Sequence, residues 1–132
     1  MGRFVSGLIL TTATLMFLGA PSAAQAQAPK VLQVVLVSVE PANQDDYLGE
    51  LKKAKVIFER LGLPAFRVWQ ATLAGPNTGG TIVGVEYENL AAFAEGSGKL
   101  QADPGWQKWV DNLQKKGISQ VTSNSILVET TP

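Results

Sequence analysis

The chain has 132 residues, with eleven basic and eleven acidic side chains, so its formal charge at pH 7 is zero and bulk charge steers it toward neither nucleic acid nor an anionic membrane. It contains no Cys and no His, which excludes disulfides, Cys/His zinc sites, Cys- or His-ligated haem and any catalytic triad built on an imidazole base. Apolar residues make up 45% of it, too many for a disordered chain, and the length suits a single domain.

Arg3 precedes an uncharged apolar stretch over residues 4–18, which Gly19, Ala20 and Pro21 break ahead of small residues. That order reads as a secretory signal. Cleavage is expected after Ala26 in Ala24-Gln25-Ala26, with Ala26-Gln27-Ala28 as the second available site, so residues 1–26 form the signal peptide and 27–132 the single domain. The stretch is shorter than the ~20 residues a bilayer asks of a helix, and no Cys follows it to carry a lipid. The expected product is periplasmic or secreted, with no membrane contact after the signal is removed. Loss of Arg3 leaves it one negative charge.

Val31 to Val39 is a β-branched run with apolar residues at odd positions (Val31, Val35, Val37, Val39) and at even ones (Leu32, Val34, Leu36). Such a strand expects cover on both faces. Pro41 ends it. Asn43 suits an N-cap, and Asp45 and Asp46 lie in the first turn, where the helix dipole favours negative charge. A helix of about five turns is predicted. Tyr47, Leu51, Ala54, Phe58 and Leu61 form its apolar stripe, Glu50, Lys52, Lys53, Glu59 and Arg60 fall mostly on the solvated back, and Gly62 and Pro64 stop it.

Residues 66–73 read as a second strand, Gly75-Pro-Asn-Thr-Gly-Gly80 as a compact hairpin loop, and residues 81–88 as a third strand. The loop lacks the Lys-Ser/Thr ending and following helix of a phosphate cradle. Asn89 caps a helical stretch over residues 90–94, which Gly96 and Gly98 weaken before residues 99–102. Asp103-Pro104 restarts a helix as N-cap and first residue. Trp106, Trp109, Val110 and Leu113 share one face of it, Gly117 closes it, and residues 118–128 form the last strand. There Val121 and Leu127 are expected on one face, Ile126 and Val128 on the other. The order β-α-β-β-α-β is an α+β, ferredoxin-like plait: a four-stranded antiparallel sheet with helices on one face. The apolar residues left on the other face predict a symmetric homodimer, sheet against sheet.

Thr81-Ile-Val-Gly-Val-Glu-Tyr-Glu-Asn-Leu-Ala-Ala-Phe-Ala94, followed by Lys99-Leu-Gln-Ala-Asp-Pro-Gly-Trp106, resembles the dimeric α/β-barrel superfamily, which includes antibiotic-biosynthesis monooxygenase-like, stress-responsive barrel and NIPSNAP-like proteins. The resemblance covers the expected mature domain in element order and implies a pocket between sheet and helices. It carries fold more strongly than activity, since the scaffold hosts cofactor-independent monooxygenases, haem-degrading enzymes, isomerases and members of no known activity. Haem-degrading relatives use a histidine on the second-helix segment, which this chain lacks, so that activity is not carried over.

Several side chains bear on chemistry. Arg67 and Trp69 share a strand face and, pointed toward the helices, suit a planar anionic or aromatic ligand; the alternative is an edge arginine reaching to water and a tryptophan filling core or interface. Glu86 suits a general base if partly buried, and otherwise an ion pair with Arg67 across the hairpin. Trp106 and Trp109, with Trp69 and Tyr87, form either an aromatic pocket wall or core filling. Asn124, opposite in parity to Ser123 and Ser125, suits a ligand carbonyl or an edge strand's bond to water. Lys52, Lys53 and Lys55 form a solvated face, Asp45-Asp46 lacks a calcium loop, and neither metal nor cofactor is expected.

The leading expectation is therefore a small-molecule-binding homodimer with a pocket lined by Trp69, Tyr87, Trp106 and Asn124. A cofactor-independent monooxygenase-like enzyme acting on a phenolic or quinone-type substrate is the alternative, with Arg67 or Asn124 stabilising the oxyanion and Glu86 a further catalytic candidate. A protein-interaction module without a ligand site is the third.

Overall fold

The computed structural model describes residues 28–72 and 75–132. The expected signal peptide, and Leu73 at the end of the second predicted strand, lie outside them. The elements run β1 (Val31–Val39), a 3-10 turn (Pro41–Asn43), α1 (Gln44–Arg60), β2 (Arg67–Gln70), a second 3-10 turn (Gly75–Asn77), β3 (Thr81–Tyr87), α2 (Leu90–Ala102), α3 (Pro104–Lys116) and β4 (Ser119–Val128). The sheet order is β2-β3-β1-β4 with every neighbouring pair antiparallel, so each helical connection leads to a strand one place beyond its neighbour. This is the ferredoxin-like α+β plait.

Register assigns every strand residue to a face. Val31, Val35 and Val37 of β1 stand opposite Tyr87, Val83 and Thr81 of β3, and these side chains meet the helices. One apolar cluster gathers Val31, Phe58, Val85 and Tyr87 with Leu63, Phe66, Phe93 and Trp106 around it. A second gathers Val37, Tyr47 and Leu51 with Val35, Val83, Trp109 and Leu113. The opposite face carries Leu32, Val34 and Leu36 of β1, Ile82, Gly84 and Glu86 of β3, Arg67 and Trp69 of β2, and Ser123, Ser125 and Leu127 of β4, and no helix among the described residues crosses it.

Four local expectations change. Asn43 sits at the start of α1 without a side-chain cap bond, because the preceding 3-10 turn holds its backbone at φ −103°, ψ 1° and not in the extended conformation of a capping residue. Gly96 and Gly98 do not divide α2, which runs unbroken for 13 residues from the Asn89 cap, whose side chain accepts from Ala92 N at 2.8 Å. A Cβ at Gly96 would lie 3.1 Å from both Leu63 and Tyr87, so this glycine serves close packing rather than a break. Regular pairing in β2 stops at Gln70, beyond which Ala71 exchanges backbone bonds with Gly80 and Gly79. Finally, β4 bulges at Thr122: Leu36 faces Ser123 but Val37 faces Val121. The extra residue reverses parity, so Val121 lies on the side of Ile126 and Val128, not of Leu127.

The remaining boundaries follow their predicted chemistry. Asp103 caps α3, accepting from Trp106 N at 2.8 Å with Pro104 in the first position. Gly62 and Gly117 take positive φ of 69° and 65° after α1 and α3, a conformation that costs glycine nothing.

Candidate functional site

The aromatic side chains expected to line one pocket lie on both sides of the sheet. Trp69 pairs with Ile82 and Arg67 with Gly84, which places both on the open face, away from the helices. The Trp69 indole lies across Gly84, so close that a Cβ there would come within 2.7 Å of the ring; the missing side chain is what admits it. The Arg67 guanidinium stands 5.5 Å from the Trp69 ring centroid, a cation–π stack. Glu86 does not pair with Arg67. It accepts from Lys30 Nζ at 3.3 Å at the far end of β3, both groups well exposed, which corrects the expected cross-hairpin ion pair.

Tyr87 and Trp106 lie on the other side and belong to the core. The Tyr87 ring packs edge-on against Phe93 at 5.4 Å. Its hydroxyl is buried without a hydrogen-bond partner among the described residues, and burial raises its pKa above the ordinary tyrosine value. Tyr47 is more deeply affected, pushed up to about 12 by desolvation. Trp106 packs against Phe58 at 5.7 Å and stacks on Trp109 at 4.8 Å. The single pocket of Trp69, Tyr87, Trp106 and Asn124 is thus divided by the sheet itself, and its two helix-side aromatics are occupied in packing.

Asn124 is on the helix-facing side, opposite Val35. There Gln33 Nε2 donates to its Oδ1 at 3.1 Å. Ile126 and Val128, on the same side of β4, are 39% and 51% exposed, so the amide pair lies in apolar surface that the helices leave uncovered. Once that bond is made, Gln33 Oε1 and Asn124 Nδ2 remain, an acceptor and a donor side by side without partners among the described residues. Gln33 was passed over in the sequence, yet it is the one polar residue at an odd position of an otherwise apolar strand.

Two charged clusters brace the helices. Glu50 is 4% exposed and accepts from Lys116 Nζ at 2.8 Å and Lys53 Nζ at 2.9 Å. Those two ammonium groups hold its carboxyl below its ordinary range. Its place four residues before Ala54 and one before Leu51 puts it in the apolar stripe, not on the solvated back. Its carbonyl accepts from Trp109 Nε1 at 3.0 Å. Asp103 receives a two-pronged contact from Arg60 at 2.9 and 2.7 Å, and the Arg60 guanidinium, then the Trp106 N–H, hold its carboxyl below the ordinary value. Among the described residues no group of three metal-ligating side chains is placed to hold an ion, and no helix is long and apolar enough to cross a membrane.

No protein-family model matches the chain, and no curated protein matches it. Solved structures do. A NIPSNAP family protein from Agrobacterium tumefaciens superposes with a TM-score of 0.58 at 19% identity, over 79% of this chain and 89% of that one. A NIPSNAP-like domain protein from Burkholderia xenovorans gives 0.56 at 17%, over 78% and 85%. SnoaB, a cofactor-independent oxygenase from Streptomyces nogalater solved as a mutant, gives 0.56 at 14%, over 80% and 97%.

The chain shares the ferredoxin-like α+β fold of these proteins. Identities this low establish the fold and nothing finer, so the activities of these neighbours enter only as proposals.

Proposed function

We propose that this protein is an exported homodimer that binds a small apolar or aromatic molecule carrying a hydroxyl or carbonyl group. The carrying observation is the Gln33–Asn124 pair on the helix-facing side of β4. An acceptor and a donor set in apolar surface suit a ligand whose body is greasy and whose polar contact is a single group. A phenolic hydroxyl donates to Gln33 Oε1, and a carbonyl oxygen accepts from Asn124 Nδ2. A second copy covers the open sheet face, where Leu32, Val34, Leu36, Ile82 and Trp69 otherwise meet water.

Native mass spectrometry of the protein expressed from the full chain with its own leader and purified from the exported fraction tests this. The expected spectrum shows a dimer carrying a discrete small-molecule mass, lost in Asn124→Ala while the dimer persists. An empty protein, or a mass that Asn124→Ala retains, overturns the site.

The fold shared with SnoaB supports a second reading, a monooxygenase-like reaction without cofactor. In it a phenolic substrate reacts with dioxygen to give a quinone, one oxygen atom entering the carbon skeleton and the other leaving as water. Asn124 would hold the developing oxyanion without Arg67, which is on the opposite face. Oxygen uptake with the bound phenol, abolished by Asn124→Ala and untouched by Arg67→Ala, separates this reading from simple binding.

A further inference from the structure

A groove of about 630 Å³ runs along the outer surface between α1 and α3, lined by Glu50, Lys53, Val56 and Ile57 of α1 and by residues of α3 including Gly105, Lys108, Trp109 and Lys116. It is separate from the sheet face that carries Gln33 and Asn124. Its volume lies in the range of small-molecule sites. The floor is apolar: Ile57 and Trp109 are half-buried, and Val56, on what should be the solvated back of α1, is 63% exposed. At one end Gly105 lets the Arg60 guanidinium and the Asp103 carboxylate lie close, since a Cβ there would stand 3.1 Å from each.

The rim is cationic and unevenly balanced. Lys53 and Lys116 are matched by Glu50 and Asp46, with Lys116 Nζ 3.2 Å from Asp46. Lys108, exposed and also on α3, has no acidic partner among the described residues. An apolar trough beside a surplus ammonium group matches one kind of occupant, a body of hydrocarbon or aromatic carbon ending in a single negative charge. A neutral apolar compound would leave Lys108 idle, and a polyanion would meet Asp46 and Glu50.

We propose that the α1–α3 groove binds an amphiphilic carboxylate, its tail along Val56, Ile57 and Trp109 and its head at Lys108. Because the indole N–H of Trp109 is already donated to the Glu50 carbonyl, that ring offers its apolar surface to the tail and leaves recognition of the head to lysine.

Isothermal titration of the purified protein carrying Asn124→Ala, which disables the hydroxyl-binding pair on β4, with dodecanoate, and with dodecanol as the uncharged control, tests the site. Expected is one saturable dodecanoate site per chain, with dodecanol much weaker. Lys108→Glu should weaken dodecanoate about fivefold, as reversal of one exposed charge allows, and Val56→Asp by at least about tenfold, since it places a like charge in the trough. Dodecanoate should bind the groove equally well with Asn124 restored, which keeps this site distinct from the one on β4. Binding that is absent, that is equal for dodecanol, or that survives both Lys108→Glu and Val56→Asp overturns the proposal; circular dichroism of each variant confirms that the fold is retained.

Discussion

At the scale of single residues, several functional readings were decided by what lies next to a side chain rather than by its type. Tyr87 is the clearest case. A phenol on a strand suggested a pocket wall, but its hydroxyl lies in the core with no partner among the described residues, packed against Gly96 and Phe93. A buried hydroxyl that makes no bond is a net cost, so Tyr87→Phe should leave the stability unchanged or raise it by about 1 kcal/mol. Thermal unfolding measures it, and a loss of that size instead would mean that the hydroxyl has a partner in solution. Glu50 teaches the reverse lesson. Its charge suggested a solvated position, yet its spacing from Tyr47 and Leu51 placed it in the buried stripe, and only the arrival of Lys53 and Lys116 makes that burial tolerable. Neither outcome is written in the residue itself, because burial is a property of the neighbours.

At the scale of elements, the chain's own signals served well wherever they were local. The caps Asn89 and Asp103, the proline at the start of α3 and the glycines after α1 and α3 all act where their chemistry predicts, since a cap needs only the next three residues. The two glycines inside α2 misled because a glycine signals both a break and a close approach. They are expected to respond oppositely. A Cβ at Gly98 meets nothing within 4 Å, so Gly98→Ala should stabilise the protein by up to about 1 kcal/mol through helix propensity. A Cβ at Gly96 would press on Leu63 and Tyr87, and the overpacking should cost about 1–3 kcal/mol, more than the same propensity gain. Denaturant titration of the two variants checks the pair, and a common sign would show that the contact at Gly96 is not limiting. The bulge at Thr122 is the other element-level surprise. It has no distinctive residue, and one extra position moved Val121 to the opposite face.

At the scale of the whole molecule, helices cover one face of the sheet and leave the other to Leu32, Val34, Leu36, Ile82 and Trp69. Under the proposed pairing of two sheets, Val34 sits near the middle of the interface, between Gly84 and Ser125 on the neighbouring strands. Light scattering coupled to size exclusion should therefore show a dimer at micromolar concentration, and Val34→Asp should shift it to monomer while keeping the helical spectrum. A wild-type monomer at those concentrations would contradict the pairing. The stack of Arg67 on Trp69 above Gly84 belongs to the same surface, and this explains why a tryptophan and an arginine that looked like ligand groups stand apart from Asn124.

The order and type of the elements, their helix caps and the two-sided apolarity of β1 were determined by the sequence, because periodicity, capping and turn chemistry act over a few residues. The absence of Cys and His set the limits of the chemistry in the same direct way. Which face of each strand meets the helices was decided only by the tertiary structure, since a period of two is satisfied equally well in either sense and the bulge at Thr122 changes it partway. That choice separated Trp69 and Arg67 from Tyr87 and Trp106. It also brought Gln33 to Asn124 across 91 residues of chain, a contact that no local pattern encodes.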